Sequence, residues 1–304
     1  MSAMTTAELR AYQQICGSNG TIMAIACDQR DGIRTLLASD PAEQKKITGT
    51  TLGDTKSDVV TYLARHAPCV LLDAVCAVPR VIQEGTLPRD LALLIGLDAS
   101  GQDFDPNGHY LSRLIPGITA RRVRELGGTG AKLMVYLRAD HPAAMGHNID
   151  IIRRCVADFA AEDLLLVVEF LTYRLPGETA EDLQAMTPAL IEGGSQLCLE
   201  LGSKVLKIPY PGSPEACVAI TKLAGKVPWA VLSAGVDHVA FVPQVETAMA
   251  NGTAGVIAGR YLWKDCVSLD RAKQRELLEN RAVPRLRELQ AILARYPQPL
   301  AHRG

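Results

Sequence analysis

The chain has 304 residues, of which 48% are hydrophobic, so it can bury a large core as one α/β barrel or as two ordinary domains. Its 32 Lys and Arg residues are balanced by 33 Asp and Glu residues, and without a basic excess we expect no nucleic-acid partner. The first 20 residues lack a basic start followed by an apolar core, and no apolar run approaches the ~20 residues that span a bilayer, which predicts a cytoplasmic protein with no membrane partner.

The eight cysteines are spread along the chain without a C-x-x-C pair and without a histidine at zinc-finger spacing. This pattern favours neither a metal site nor disulfide bonds. Several of the cysteines lie within apolar runs, where a free thiol behaves as a small hydrophobic side chain in a reducing compartment. We therefore expect no bound metal and no cofactor.

One pattern repeats along the chain: a short apolar run, a polar or Gly-rich turn, and a stretch with helical periodicity. The apolar runs predict eight strands, at 21–28, 69–74, 91–98, 130–137, 164–171, 204–210, 229–235 and 254–260. An apolar stripe of period near 3.6 predicts helices at 54–66, 119–126, 148–161, 183–201, 214–223, 239–250 and 270–295.

Continuous apolar strands that alternate with helices indicate a parallel sheet covered by helices. Eight such units in a chain of this length favour one closed (β/α)8 barrel, with an N-terminal extension and a long C-terminal helix, over an open doubly wound sheet. No G-x-G-x-x-G follows the first strand, which weakens the dinucleotide-binding alternative. We expect a single domain over residues 1–304, with segment 99–117 as a long loop that borders the active site.

Polar side chains stand late in several predicted strands, at positions that point into the barrel. Because catalytic residues of this fold lie at the carboxyl ends of the strands, these positions mark the candidate site. Side chains alternate faces along a strand, so Asp28 shares a face with Ala26 and Glu169 shares one with Val167. The late inward ionisable residues are Asp28, Asp73, Asp98, Lys132, Glu169 and Lys207.

Two lysines fall in the sixth predicted strand, and alternation separates them. Lys207 shares a face with Val205, whereas Lys204 lies opposite and nearer the strand start, so only Lys207 is placed to enter the core. Apolar walls and a second ammonium group, here that of Lys132, favour the neutral and nucleophilic form of a lysine. Such a lysine forms a Schiff base with a ketone; the alternative is a structural ion-pair network of the same residues.

Small residues end the seventh and eighth predicted strands, in LSAGVD (232–237) and AGVIAGRYLW (254–263). Small residues let backbone N–H groups approach an anion closely, and the loops after these two strands form the recurrent phosphate site of the fold. The candidates for binding a substrate phosphate are Ser233, Gly235, Gly259 and Arg260.

A family resemblance rests on six stretches in order: CDQR (27–30), AKLMVYLR (131–138), VVEFLTY (167–173), VLKIPYP (205–211), WAVLSAGVD (229–237) and GVIAGRYLW (255–263). Together they resemble the class I aldolases that cleave tagatose 1,6-bisphosphate and their relatives acting on 6-deoxy-6-sulfofructose 1-phosphate. The resemblance implies that Lys207 is the Schiff-base lysine and Glu169 the proton-transfer carboxylate. It implies that Lys132 and Asp28 are their polar neighbours, and that Gln29 and Arg30 contact the substrate.

The activity that the resemblance implies is metal-independent cleavage of a ketohexose 1-phosphate into dihydroxyacetone phosphate and a three-carbon aldehyde. In this reaction the positive iminium on the lysine withdraws electrons from the carbon–carbon bond that breaks, as a divalent metal would otherwise do. The alternatives are a transaldolase, a deoxyribose-phosphate aldolase, or a sugar-phosphate sensor without turnover. Candidate partners for a second anion on the substrate are Arg30, Arg80 and Arg138. Helix 270–295 either forms a homo-oligomer interface or closes the barrel.

Overall fold

The computed structural model describes residues 3–298, so the first two and last six residues of the predicted domain lie outside the described part. Eight parallel strands form a closed barrel in the order β1-β10-β9-β8-β7-β6-β3-β2, and β4 and β5 pair separately as an antiparallel hairpin. The strands are β1 Ile22–Cys27, β2 Cys69–Asp73, β3 Ala92–Gly96, β4 Asp103–Phe104, β5 Tyr110–Leu111, β6 Gly130–Tyr136, β7 Leu165–Leu171, β8 Val205–Ile208, β9 Trp229–Leu232 and β10 Gly255–Ala258.

Helices follow the barrel strands and surround them. They are α1 Thr6–Ile15, α2 Asp31–Leu37, α3 Pro41–Lys46, α4 Gly49–Tyr62, α5 Ala77–Gln83, α6 Ala120–Glu125, α7 Gly146–Ala161, α8 Ala180–Glu200, α9 Pro214–Ala224, α10 His238–Ala250, α11 Arg260–Trp263, α12 Arg271–Leu277 and α13 Val283–Ala294. Short 3₁₀ turns lie at Ala64–His66 and Pro142–Met145, and a π turn lies at Leu278–Ala282. The predicted (β/α)8 barrel is confirmed, with each predicted strand and helix at its place within a few residues.

The barrel strands are apolar on both faces because both faces are buried. Inward residues such as Ala24, Leu71 and Val205 form one core inside the barrel. Outward residues such as Ile25 and Leu206 form a second core against the helices. The alternation that predicted which side chains enter the barrel is therefore confirmed.

Helix α1 closes the amino-terminal end of the barrel. A capping box starts it: the Thr5 hydroxyl accepts a hydrogen bond from Glu8 N, and the Glu8 carboxylate accepts one from Thr5 N. Tyr12 and Ile15 of this helix are buried and pack against the inward residues of the strands. The sequence pattern predicts only an extension here, without this helix.

The C-terminal helical run, Arg271 to Ala294, takes the position of the eighth helix of the barrel. It packs between α10 and α4 and buries Leu286, Leu289 and Leu293 in the outer core. The predicted helix 270–295 is thus confirmed, with the π turn in its first half. No helix among residues 3–298 is both long and apolar enough to cross a bilayer.

The predicted loop 99–117 contains the β4–β5 hairpin, which folds over the carboxyl end of the barrel. Asn148 of α7 fixes it, because the side chain accepts a hydrogen bond from Ser112 N and donates to the carbonyls of Tyr110 and Tyr136. The loop is therefore held as a wall of the barrel mouth.

Candidate active site

Four predicted residues meet inside the carboxyl end of the barrel. The Lys207 ammonium lies 2.8 Å from Glu169 Oε2, and the Lys132 ammonium lies 3.4 Å from the same oxygen. Lys132 also lies 2.7 Å from Asp28 Oδ2. All four side chains are buried, and the structure brings Asp28, Lys132, Glu169 and Lys207 into one cluster.

Strand register brings the two central residues together. Glu169 of β7 and Lys207 of β8 are direct partners in the parallel ladder, so their side chains leave the sheet side by side on the inner face. Lys132 of β6 is paired with Val167, two residues before Glu169, and its long side chain reaches up to the carboxylates. One carboxylate oxygen therefore bridges both lysines.

Asp98 belongs to this cluster, although the sequence analysis recognised it only as a late inward residue. It follows β3, and its Oδ1 lies 2.5 Å from the Lys132 ammonium. Its backbone carbonyl accepts a hydrogen bond of 2.9 Å from Arg30. With Asp98 added to Asp28 and Glu169, three carboxylates face the two ammonium groups. Their negative charge offsets the repulsion expected between Lys132 and Lys207.

The charges of the cluster are set by burial and by its own ion pairs. Burial would raise the pKa of Asp28, but Lys132 and Lys207 outweigh it and lower this pKa to about 2. Burial would lower the pKa of Lys132, yet Asp28, Asp98 and Glu169 hold it well above its usual value. Burial raises the pKa of Asp98, and repulsion from Asp28 adds to this although Lys132 opposes it. Asp28 and Lys132 thus stay charged, while Asp98 accepts a proton more readily than an ordinary aspartate.

Two adjacent chambers open from the cluster toward the barrel mouth. The first, of about 230 Å³, is lined by Asp28, Asp98 and Lys132. The second, of about 130 Å³, contains Lys207. Four residues line both chambers, namely Gln29, Glu169, Leu171 and Arg260. The two chambers therefore meet beside Glu169, next to Lys207.

The second chamber ends at the predicted phosphate loops. Ser233 Oγ accepts a hydrogen bond of 3.3 Å from Gly259 N and so ties the loops after β9 and β10 together. Ala234 and Gly235 both have positive φ, 46° and 79°, so the backbone turns tightly around the chamber. The structure places Ser233, Gly235 and Gly259 on one wall of this chamber.

Arg260 stands at the mouth of both chambers. Its side chain is exposed, and no hydrogen-bond or ion-pair partner for it occurs among residues 3–298. Asp237, the residue that could have neutralised it, is instead paired with Lys264 at 2.6 Å. The guanidinium of Arg260 is therefore available to an anion that enters from solvent.

Gln29 and Arg30 follow Asp28 at the end of β1 and line the first chamber. Gln29 Oε1 and Asp28 Oδ1 are both buried and have no hydrogen-bond partner in the described part of the chain. Arg30 donates to Ser100 Oγ at 3.2 Å and to the Asp98 carbonyl, so it is only partly engaged. Unpartnered buried polar atoms that face a chamber are typical of a site that binds a polar ligand.

The other two candidate arginines lie outside both chambers. Arg138 is fully buried and makes paired hydrogen bonds to Asp140 and Glu178. Arg80 of α5 forms ion pairs with Asp54 and Glu84. Both guanidinium groups are already matched by two carboxylates, so the expectation that they bind a second substrate anion is wrong.

The remaining late inward residue, Asp73, is also engaged elsewhere. It forms a fully buried ion pair with Lys56 of α4 and accepts backbone hydrogen bonds from Val75 and Cys76. It therefore supports the turn after β2 and does not line either chamber. Within residues 3–298, no group of three or more His, Cys, Asp or Glu side chains is arranged to hold a metal ion.

Comparisons with known proteins identify a family for this chain. The family model described as DeoC/LacD family aldolase matches residues 22–265. A tagatose 1,6-diphosphate aldolase of Staphylococcus aureus (strain bovine RF122 / ET3-1) is 24% identical over 287 residues, covering 86% of each chain.

Two solved structures share the fold. A Schiff base-forming fructose-1,6-bisphosphate aldolase superposes with a TM-score of 0.63 at 19% identity and covers 93% of this chain and 98% of that one. An archaeal fructose-1,6-bisphosphate aldolase, with its catalytic lysine covalently bound to the carbinolamine intermediate, has a TM-score of 0.63 at 19% identity and covers 94% and 99%. Both confirm the barrel.

Proposed function

The chain belongs to the DeoC/LacD family and is a class I aldehyde-lyase, as the resemblance implied, and from this premise we propose that it cleaves a ketohexose 1-phosphate. The products are dihydroxyacetone phosphate and a three-carbon aldehyde. The observation that carries the proposal is the contact between Lys207 and Glu169, 2.8 Å long, at the junction of the two chambers.

Lys207 is the nucleophile in this proposal. Its ammonium contacts Glu169, which takes up a proton so that the neutral amine attacks the C2 ketone. The same carboxyl group returns the proton to the C2 hydroxyl as water leaves and the iminium forms. The positive iminium then draws the electrons of the C3–C4 bond toward nitrogen, the bond breaks, and an enamine remains on Lys207.

The substrate phosphate lies on the wall formed by Ser233, Gly235 and Gly259. Small residues there let an anion approach the backbone closely, and Arg260 supplies an unmatched positive charge. This wall and Lys207 line the same small chamber, which suits a ketose whose phosphate is on C1 and whose ketone is at C2. Gln29 and Arg30 contact the far half of the ketose in the first chamber.

The wider proposal covers the substrates, the domain and the assembly. We place tagatose 1,6-bisphosphate and 6-deoxy-6-sulfofructose 1-phosphate among the substrates to test, because Arg30 offers one cation to an anion at C6. We propose that the chain is a single domain, as predicted, and works as a homo-oligomer in the cytoplasm. No disulfide bond joins any of the eight cysteines, all of which lie in the described part of the chain, which suits a reducing compartment.

A product assay tests the proposal. The purified protein is incubated separately with tagatose 1,6-bisphosphate, fructose 1,6-bisphosphate and 6-deoxy-6-sulfofructose 1-phosphate, and release of dihydroxyacetone phosphate is followed. We expect release from at least one of the three. Cleavage of deoxyribose 5-phosphate or transfer of a dihydroxyacetone unit without release of free dihydroxyacetone phosphate would replace this reaction by an alternative one. Binding of these ketoses without turnover would identify a sensor.

A further inference from the structure

Retro-aldol cleavage needs two separate proton transfers on the substrate. A base takes the proton from the C4 hydroxyl as the C3–C4 bond breaks, and an acid later gives a proton to C3 of the enamine. In the binding mode proposed above, C2 is bonded to Lys207 in the second chamber, which places C3 beside Glu169 and C4 in the first chamber. The two transfers therefore occur on different sides of Glu169.

We propose that Asp98 is the base for the C4 hydroxyl, and that Glu169 serves the Schiff base and C3. The proposal rests on the reaction stated above. In the step, the C4 hydroxyl proton passes to Asp98 and its O–H electrons form the aldehyde C=O. The C3–C4 electron pair moves to form the C2–C3 double bond of the enamine, and the iminium nitrogen becomes neutral. Asp98 then loses the proton to solvent as the aldehyde leaves, and Glu169 takes up a proton from solvent and gives it to C3.

Exposure separates Asp98 from the other carboxylates of the cluster. Its side chain is 17% exposed, against 7% for Asp28 and 9% for Glu169. Oδ1 of Asp98 is bonded to Lys132, and the second oxygen has no partner within residues 3–298. One oxygen is thus held in place while the other faces the chamber.

The backbone of Asp98 is fixed as a catalytic base requires. Arg30 donates a hydrogen bond to its carbonyl, and Asp98 forms an antiparallel bridge with Leu114. Arg30 and Lys132 therefore hold the residue from two sides, although it lies beyond the end of β3.

Asp28 is a weaker candidate for this step. Its Oδ2 is bonded to Lys132, and it faces both ammonium groups, which lower its pKa to about 2. Such a carboxylate is a poor acceptor for a hydroxyl proton. Burial raises the pKa of Asp98, and Asp28 and Glu169 add to this, although Lys132 opposes it. Tyr136 and Arg30 also lie next to Asp98. Asp28 instead keeps Lys132 charged, so that Lys132 stabilises the developing C4 oxyanion.

The test separates cleavage from a reaction that needs only half of the substrate. Dihydroxyacetone phosphate forms the Schiff base on Lys207 and exchanges a proton of its hydroxymethyl carbon with D₂O, which requires Glu169 but no base at C4. In Asp98→Asn, we expect this exchange to stay within about threefold of wild type while cleavage falls by on the order of 10²–10⁴. Asn still accepts a hydrogen bond from Lys132, so the contact is kept. The matched control is Asp103→Asn, an exposed carboxylate in the same loop, which should leave both rates unchanged.

Equal losses of exchange and cleavage in Asp98→Asn, or unchanged cleavage, would overturn the proposal. A wild-type protein without exchange would instead reject the proposed reaction itself.

Discussion

Two lysine–glutamate pairs stand at opposite ends of the barrel, and their lysines are only three residues apart. At the amino-terminal end Lys204 pairs with Glu8 of α1, and at the carboxyl end Lys207 pairs with Glu169. Both pairs are short and mostly buried. Burial and pairing alone therefore do not distinguish a catalytic lysine from a structural one.

The surroundings of the two pairs differ. Glu8 is also bonded to Thr5 N in the capping box, and the crevice beside Lys204 holds only about 30 Å³. Glu169 is shared by two lysines and opens onto two chambers, next to buried oxygens of Asp28 and Gln29 that lack partners in the described residues. The Lys204–Glu8 pair holds α1 against the barrel, whereas the Lys207–Glu169 pair leaves hydrogen-bonding capacity for a ligand.

The largest expected difference between the two ends lies in turnover. Lys207→Ala removes the amine that bonds to the substrate and should lower kcat by on the order of 10⁴–10⁶. Lys204→Ala, just before the start of β8, should leave kcat within about twofold of wild type. Steady-state rates of dihydroxyacetone phosphate release measure both. Similar losses in the two variants would remove the distinction between the pairs.

The next largest difference in activity is expected between variants of the two glutamates, Glu169 and Glu8. Glu169→Gln removes the proton-transfer group and should lower kcat by on the order of 10²–10⁴, because Gln can neither take nor give the proton. Glu8→Gln should leave kcat unchanged and lower the midpoint of thermal unfolding, since Lys204 loses its charged partner. Rates and melting curves on the same preparations check this, and full activity in Glu169→Gln would make Glu169 a structural partner only.

The arginines test how the substrate lies across the two chambers. Arg260→Ala should raise KM for a phosphorylated ketose by roughly 10–100-fold, the usual range for a lost hydrogen bond to a charged group, with little change in kcat. Arg30→Ala should weaken substrates with an anion at C6 while leaving the affinity for dihydroxyacetone phosphate intact. Binding of dihydroxyacetone phosphate to each variant measures this. The reverse result would mean that the substrate lies the other way round.

The smallest effect is one on stability at the amino-terminal end. Lys204→Ala leaves Glu8 nearly buried without its cation, which should lower the free energy of unfolding by about 1–3 kcal/mol. Glu8→Ala combined with Lys204→Ala should recover part of this loss, because no uncompensated charge remains. Denaturant melts of the single and double variants provide the test, and purely additive losses would contradict the pairing.

The sequence predicts the barrel well because eight apolar runs are separated by segments with helical periodicity. The alternation of side chains between the two faces of a strand also does not depend on tertiary contacts. Helix α1 has a local signal, the capping box of Thr5 and Glu8, but nothing local indicates that a segment before β1 folds beneath the barrel. The two-residue strands β4 and β5 are too short for a periodic signal. The positions of α1 and of the β4–β5 hairpin depend on the tertiary contacts that each makes.

The site is predictable to the extent that it depends on alternation. Glu169 and Lys207 come together through strand register, which the inward pattern already implies. Asp98 joins through the reach of the Lys132 side chain, which no spacing encodes. Arg138 resembles a solvated loop arginine in sequence, and only the fold brings Asp140 and Glu178 to it.

Borohydride trapping tests most directly which of the buried lysines carries the reaction. The wild-type protein is mixed with dihydroxyacetone phosphate, reduced, digested, and the modified lysine is located by peptide mass. We expect one adduct, on Lys207, and none on Lys132 or Lys204. An adduct on Lys132, or no adduct while cleavage is active, would contradict the assignment of Lys207 as the Schiff-base lysine.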